Sequence, residues 1–221
     1  MTTDEILQGL FDETLVGNAP TVKDLTNQGL EMGMDPETLL YDALIPSLEE
    51  VGARFERGDF FVPEMLIAAR AMQGALDILR PLLAETGAKP IGTFVMGTVK
   101  GDVHDIGKNL VNIMLEGAGF TVHDLGVNVA PEKFVEMVQE HKPEIVGFSA
   151  FLTTTMPMFK ANINALEKAG IREQVIVMVG GAPVTQEYAD AVGADGYSAD
   201  ASSAVKKAKE LIELRREKVP A

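Results

Sequence analysis

From residue 91 onward the chain alternates a short apolar run with an amphipathic segment five times. This alternation restricts the possible folds more than any other feature of the sequence. The runs are IGTFVMG (91–97), FTVHDLG (120–126), EIVGFSAF (144–151), QVIVMVGG (174–181) and the short DGYSA (195–199). Each leads into a helical segment: NLVNIMLEGAG, PEKFVEMVQEH, MFKANINALEKAG, a stretch around TQEYADAVG, and SSAVKKAKELIELRR. Near-continuous apolar strands need burial on both faces, and parallel strands need a crossover helix. The pattern therefore predicts a doubly wound five-stranded parallel sheet with helices on both faces. Five such units suit the flavodoxin-like order 2-1-3-4-5. In that order the first and third strands are neighbours, and ligands bind beyond their C-terminal ends. Loops 98–107 and 149–157 are expected to open into the same crevice.

The first 86 residues have a different period. Ile6, Leu7, Leu10, Phe11 and Leu15 stand at helical spacing. Thr21 suits the N-cap of a second helix through Leu25 and Leu30. Asp35 and Pro36 suit the N-cap and first position of a third. Gly58 and Asp59 break the pattern, and VPEMLIAARAMQGALDILRPLL restarts it with Pro63 near its beginning. Short connections between four helices predict a four-helix bundle. Met65 and Met72 share one face and read as core fillers. ETGAKP (85–90) reads as a linker. The expected domains are a helical unit over 1–86 and a Rossmann-like sheet domain over 90–221.

Composition excludes several classes of function. The chain has 221 residues, no cysteine and three histidines, His104, His123 and His141. Disulfides, iron–sulfur ligation and thiolate zinc sites are ruled out, and a multi-histidine metal site is not expected. A net charge of −14 argues against nucleic acid as a partner. No apolar run reaches the roughly 18 residues of a membrane span. The acidic start MTTDEILQGL lacks a signal-peptide core, so a cytoplasmic location without membrane contact is the expectation.

The loop after the first run, GTVKGDVHDIGKNLV (97–111), carries the chemistry. A phosphate-binding loop needs four residues between its glycines and a hydroxyl after its lysine. Here Gly101 and Gly107 are separated by five, and Asn109 follows Lys108. A flavin loop needs hydroxyls, and Thr98 is the only one before the helix. Asp102 and His104, two apart in an extended loop, offer a third possibility. The carboxylate can bend back to accept from imidazole Nδ1–H, which leaves Nε2 as a ligand or base. Taken alone, the tripeptide also fits a solvated loop histidine. The third run ends in SAFLTTT, with Ser149, Thr153, Thr154 and Thr155 at the switch point; Thr155 also suits a helix cap. The fourth ends at Gly180-Gly181, either a tight turn or a place where a ligand meets the backbone.

These blocks together resemble a known family. D-x-H-x-x-G, then S-x-L, then G-G is similar to the signature of cobalamin-binding domains that hold the cofactor base-off and histidine-on. It appears here as Asp102, His104 and Gly107, then Ser149, then Gly180 and Gly181, with intervals of 41 and 28 residues. Phe151 stands in place of the leucine. VGARFERGDFFVPEMLIAARAM resembles the helical cap that precedes this domain in corrinoid methyltransferase proteins and in methionine synthase. The resemblance covers nearly the whole chain.

It implies that His104 is the lower cobalt ligand. Asp102 would hold its other nitrogen, and Thr155 would be the hydroxyl partner of Asp102. Asp105, Gly107, Ser149, Phe151, Thr153, Gly180 and Gly181 would bind the cofactor and its displaced base. Phe55 and Val62 would shield the upper face, although both also fit bundle core. Histidine's reference pKa is about 6.5, so a released imidazole beside a carboxylate could couple proton uptake to demethylation. The implied function is a methyl carrier. Its partners would be a substrate-specific methyltransferase, an acceptor methyltransferase acting on tetrahydrofolate or coenzyme M, and a reductive activator. Methanol, methylamines, quaternary amines and aryl methyl ethers are all open as donors; the reading leans to O-demethylation with tetrahydrofolate. Competing readings are the cobalamin subunit of an adenosylcobalamin mutase, a cobalamin-dependent regulator, and a scaffold module without cofactor.

Overall fold

A computed structural model describes residues 1–86 and 90–218. The core of the predicted linker, residues 87–89, lies outside the described residues. The chain divides into two compact units, one built on the N-terminal helices and one on the sheet, with Glu116–Gly119 grouped with the helices.

In the helical unit, α1 (Thr3–Leu15) opens with a reciprocal cap. Glu5 N–H donates to Thr2 Oγ1 at 3.2 Å, and Thr2 N–H donates to Glu5 Oε2 at 2.7 Å. The next helix, α2 (Ala19–Glu31), is capped by Asn18 rather than by Thr21; Thr21 N–H donates to Asn18 Oδ1 at 3.5 Å. Pro20 explains the shift, because it suits the first turn and so moves the start three residues upstream. Asp35 caps α3 (Pro36–Leu39) as expected, accepting from Glu37 N–H at 2.9 Å. That helix runs through a π turn, Leu40–Leu44, into α4 (Ile45–Arg57). Pro46 accounts for the wider turn: it has no N–H, and its ring would strike the Asp42 carbonyl in a regular α-helix. The last helix of the unit is α5 (Val62–Thr86). Ile6, Leu10, Leu39, Leu44, Met65, Met72 and Leu79 are wholly buried, so both methionines are core residues.

The sheet unit follows the expected alternation. Its strands are β1 (Thr93–Thr98), β2 (Thr121–Asp124), β3 (Ile145–Ser149), β4 (Ile176–Gly180) and β5 (Gly196–Ser198). Its helices are α6 (Ile106–Gly117), α7 (Pro131–His141), α8 (Pro157–Lys168), α9 (Gln186–Val192) and α10 (Ala201–Lys218). All strand pairs are parallel, in the order β2-β1-β3-β4-β5. Central strands are buried along almost their whole length, while the edge strand β2 carries His123 and Asp124 and is partly open. One face packs Val95, Val146, Phe148, Val177 and Val179 against Phe134, Val138, Phe159, Ile163 and Leu166. Phe134 meets Phe148 edge-on, with centroids 4.8 Å apart. Among the described residues, no helix is long and apolar enough to cross a membrane.

Candidate functional site

Strand register brings the polar strand ends into one row. Thr98 pairs with Ser149, Ser149 with Gly180, and Gly180 with Ser198. The loops that follow β1 and β3 therefore leave the sheet side by side. They are joined through one carboxylate.

Asp102 is fully buried. Its Oδ1 accepts from the His104 ring Nδ1 at 2.7 Å and from His104 N–H at 3.1 Å. Its Oδ2 accepts from Phe151 N–H at 2.8 Å, Leu152 N–H at 3.1 Å and Thr155 Oγ1 at 2.7 Å. Burial alone would raise the carboxyl's pKa. The hydrogen bonds from Thr155, His104 and the Phe151 backbone outweigh it and hold the group well below the usual carboxylate range. An ionised carboxylate can only accept, so the proton of the shared bond sits on His104 Nδ1. In the neutral form of the ring Nε2 is then the nitrogen without a proton, on a side chain that is 45% exposed. Thr155 serves this cluster rather than the helix: α8 has no side-chain cap bond.

The loop after β2 clamps the histidine loop from its other side. Thr98 N–H donates to Gly126 O, Val129 N–H to Thr98 O, and Asn128 N–H to Asp102 O, all at 2.9 Å. Asn128 adopts a left-handed conformation, φ 55°, and its Oδ1 accepts from Gly101 N–H at 2.8 Å. Buried Thr98 donates its hydroxyl to the His104 carbonyl at 2.9 Å. Lys108 is not a phosphate ligand. Its ammonium is buried and sits 2.6 Å from both Asp124 oxygens and from Asn109 Oδ1. Asp124 also accepts from Gly126 N–H at 2.9 Å. Thr98, Asn128 and the Lys108–Asp124 pair are supports that the sequence reading did not assign. An Asn before a Val-Ala-Pro turn is the one local hint.

The pair has an asymmetric prediction. Lys108 is 1% and Asp124 42% exposed at the side chain. Asp124→Ala strands a buried ammonium and should cost about 3 kcal/mol. Lys108→Met leaves a carboxylate that water can reach and should cost about 1 kcal/mol. Urea unfolding of the two variants checks the order; equal or reversed losses contradict it.

The remaining expected residues are more scattered. Asp105 faces its own helix, accepting from Asn109 Nδ2 at 3.2 Å. Gly107 borders open space. Thr153 is exposed in the loop after β3. Gly180 and Ser149 lie in the row of strand ends. Gly181 has φ 135°, and a Cβ there would collide with the Ala150 carbonyl oxygen. Contact between two stretches of backbone thus accounts for this glycine without a ligand. Phe55 and Val62 belong to the helical unit, the first half-buried and the second exposed.

The site accommodates a metal that arrives with most of its ligands already attached. Among the described residues no cluster of three or more His, Asp or Glu side chains could hold an ion by itself, yet one oriented imidazole can complete a chelated one. The two loops joined by Asp102 carry four large apolar side chains, Val103, Ile106, Phe151 and Leu152, each 40–71% exposed, and the Phe151 ring lies against His104. A broad apolar ligand would cover them. At the end of the row, the Ser198 hydroxyl is buried with no partner, beside Gly180.

Comparison with known proteins agrees with this reading. Residues 92–206 and 6–80 each match a B12 binding domain family. The dimethylamine corrinoid protein 1 of Methanosarcina acetivorans is 43% identical over 96% of this chain and 100% of its own length. The chain belongs to the B12-binding corrinoid proteins. Trimethylamine corrinoid protein 2 of Methanosarcina mazei is 42% identical over 92% of both chains. Among solved structures, the methanol:cobalamin methyltransferase complex MtaBC of Methanosarcina barkeri contains a chain with TM-score 0.82 and 31% identity. That match covers 99% of this chain and 86% of that one. A cobalamin-binding protein of Desulfitobacterium hafniense gives TM-score 0.75 and 30% identity over 96% and 98%. This corrinoid protein binds cobalamin, and its two family matches fall on the helical part and the sheet part of the chain.

Proposed function

We propose that this corrinoid protein is a methyl carrier that holds cobalamin base-off, with His104 Nε2 as the lower ligand. Bound cobalamin supplies the cobalt on which a methyl group travels. The chain's own residues orient and tune. Asp102 fixes the imidazole tautomer, Thr155 and three backbone amides fix Asp102, and the exposed apolar collar receives the ring face. Ser149, Thr153, Gly180 and Gly181 would receive the displaced base, and Phe55 and Val62 would cover the opposite face. The observation that carries the reading is the Asp102–His104 bond, which leaves one nitrogen free on an exposed imidazole.

Two methyltransferases would dock in turn, one loading the methyl group and one passing it to tetrahydrofolate or coenzyme M; a reductive activator would rescue oxidised cobalt. For the donor, the similarity to dimethylamine and trimethylamine corrinoid proteins favours a methylated amine over the O-demethylation to which the reading from the family resemblance leans. No residue of this chain speaks for either.

Reconstitution with hydroxocobalamin tests the reading. The protein should stay red after desalting. Reduced to cobalt(II), it should show nitrogen hyperfine splitting that 15N-histidine labelling alters and His104→Ala removes. A colourless wild-type protein, or an unchanged spectrum in His104→Ala, would overturn it.

A further inference from the structure

Asp102 holds the His104 imidazole by one edge. A single bond of 2.7 Å between Nδ1 and Oδ1 leaves the ring free to tilt about that line. A second constraint lies on its face. The Phe151 ring stacks on the imidazole with centroids 4.4 Å apart and planes 26° apart. Phe151 is itself anchored, since its N–H donates to Asp102 Oδ2. The two residues are therefore tethered to opposite oxygens of one carboxylate. The phenyl group is not part of the buried core face of the sheet, and Phe151 is 52% exposed. Its packing partner is the imidazole.

We propose that Phe151 is a positioning residue whose ring sets the tilt of the His104 imidazole, and with it the direction of the Nε2 lone pair. The inference rests on His104 being the lower ligand. It also gives a physical meaning to the one departure from the S-x-L pattern. A leucine fills similar volume but offers no flat face, so the imidazole edge stays fixed while its plane does not. Offset aromatic pairs favour one geometry by roughly two- to tenfold over an aliphatic contact.

The test compares Phe151→Leu and Phe151→Tyr with the wild-type chain. In cofactor-free protein, the His104 ring protons should be shifted upfield by the phenyl ring current. That shift should persist in the tyrosine variant and vanish in the leucine variant. After reconstitution with hydroxocobalamin and reduction to cobalt(II), spectra are compared per bound cobalt, so that a change in loading does not enter, and the decisive variant is Phe151→Leu. Its ratio of histidine-on to histidine-off spectra should fall roughly two- to tenfold, and Phe151→Tyr should restore it. Unchanged ring-proton shifts and an unchanged ratio in Phe151→Leu, with nitrogen splitting intact in the wild type, overturn the proposal alone. Absence of nitrogen splitting in the wild type overturns the lower-ligand reading, and this proposal with it.

Discussion

Gly181→Ala should lose about 3–5 kcal/mol of unfolding free energy, a large fraction of what a domain of this size has. Two effects combine. At φ 135° an L side chain is strained by about 1–3 kcal/mol. The new methyl also meets the Ala150 carbonyl oxygen, and overpacking against backbone adds about 1–3 kcal/mol because no flexible group can move aside. Ala150 is pinned as well, its N–H donating to Gly180 O at 3.2 Å. If Ala150 shifts, Phe151 and Leu152 move with it, and their amides leave Asp102. Cobalamin retention should therefore fall together with stability. Gly193→Ala is the control: φ there is 85° with nothing near a Cβ, so a cost of about 1 kcal/mol is expected. Equal losses in the two variants on urea denaturation would show that the contact with Ala150 does not matter.

Asp102→Asn should cost about 3 kcal/mol near neutral pH, because an amide must turn its NH2 toward one of two sets of donors. Facing the Oδ2 side, it opposes Phe151 N–H, Leu152 N–H and the Thr155 hydroxyl. Facing the Oδ1 side, it opposes His104 N–H and makes Nδ1 an acceptor, so the ring proton moves to Nε2. The second arrangement removes the free nitrogen. The pH dependence has a definite sign. The folded-state pKa of Asp102 lies below its unfolded value of about 3.9. Its stabilisation is complete above that value and is lost as pH falls toward and through the folded pKa. The stability gap between wild type and Asp102→Asn should be widest between about pH 5 and 7 and should narrow below about pH 4. A constant gap from pH 6 to pH 3 would mean that the carboxylate charge is not what the five donors read.

The sheet was legible because its signal is local and repeated. Each apolar run and each helix can be read within a window of a dozen residues, and parallel order follows from their alternation. The Asp102–His104 bond was legible for a similar reason, since its partners are two residues apart in one loop. The supports of that loop were not. Asn128 reaches Gly101 across 27 residues, and Lys108 reaches Asp124 across 16; no pattern at those separations distinguishes them from surface polar groups. Thr155 carried two readings, a helix cap or a partner of Asp102, and the register of β1 against β3 makes the second possible. The Asn18 cap was missed because Thr21, an equally good capping residue, sits one turn further on. Gly180-Gly181 fits a tight turn or a ligand's approach from sequence, and the requirement that Gly181 lack a side chain comes from the Ala150 carbonyl, which is 31 residues away in the chain and so invisible to a local pattern.

The bridge between Val99 and Val129, together with Asn128, holds the histidine loop through contacts within the chain itself. A receptor built in advance loses little chain entropy on binding. The ordering penalty of capture then falls on the incoming molecule. Slow uptake from solution would accordingly time a rearrangement within the corrinoid, not a refolding of the polypeptide.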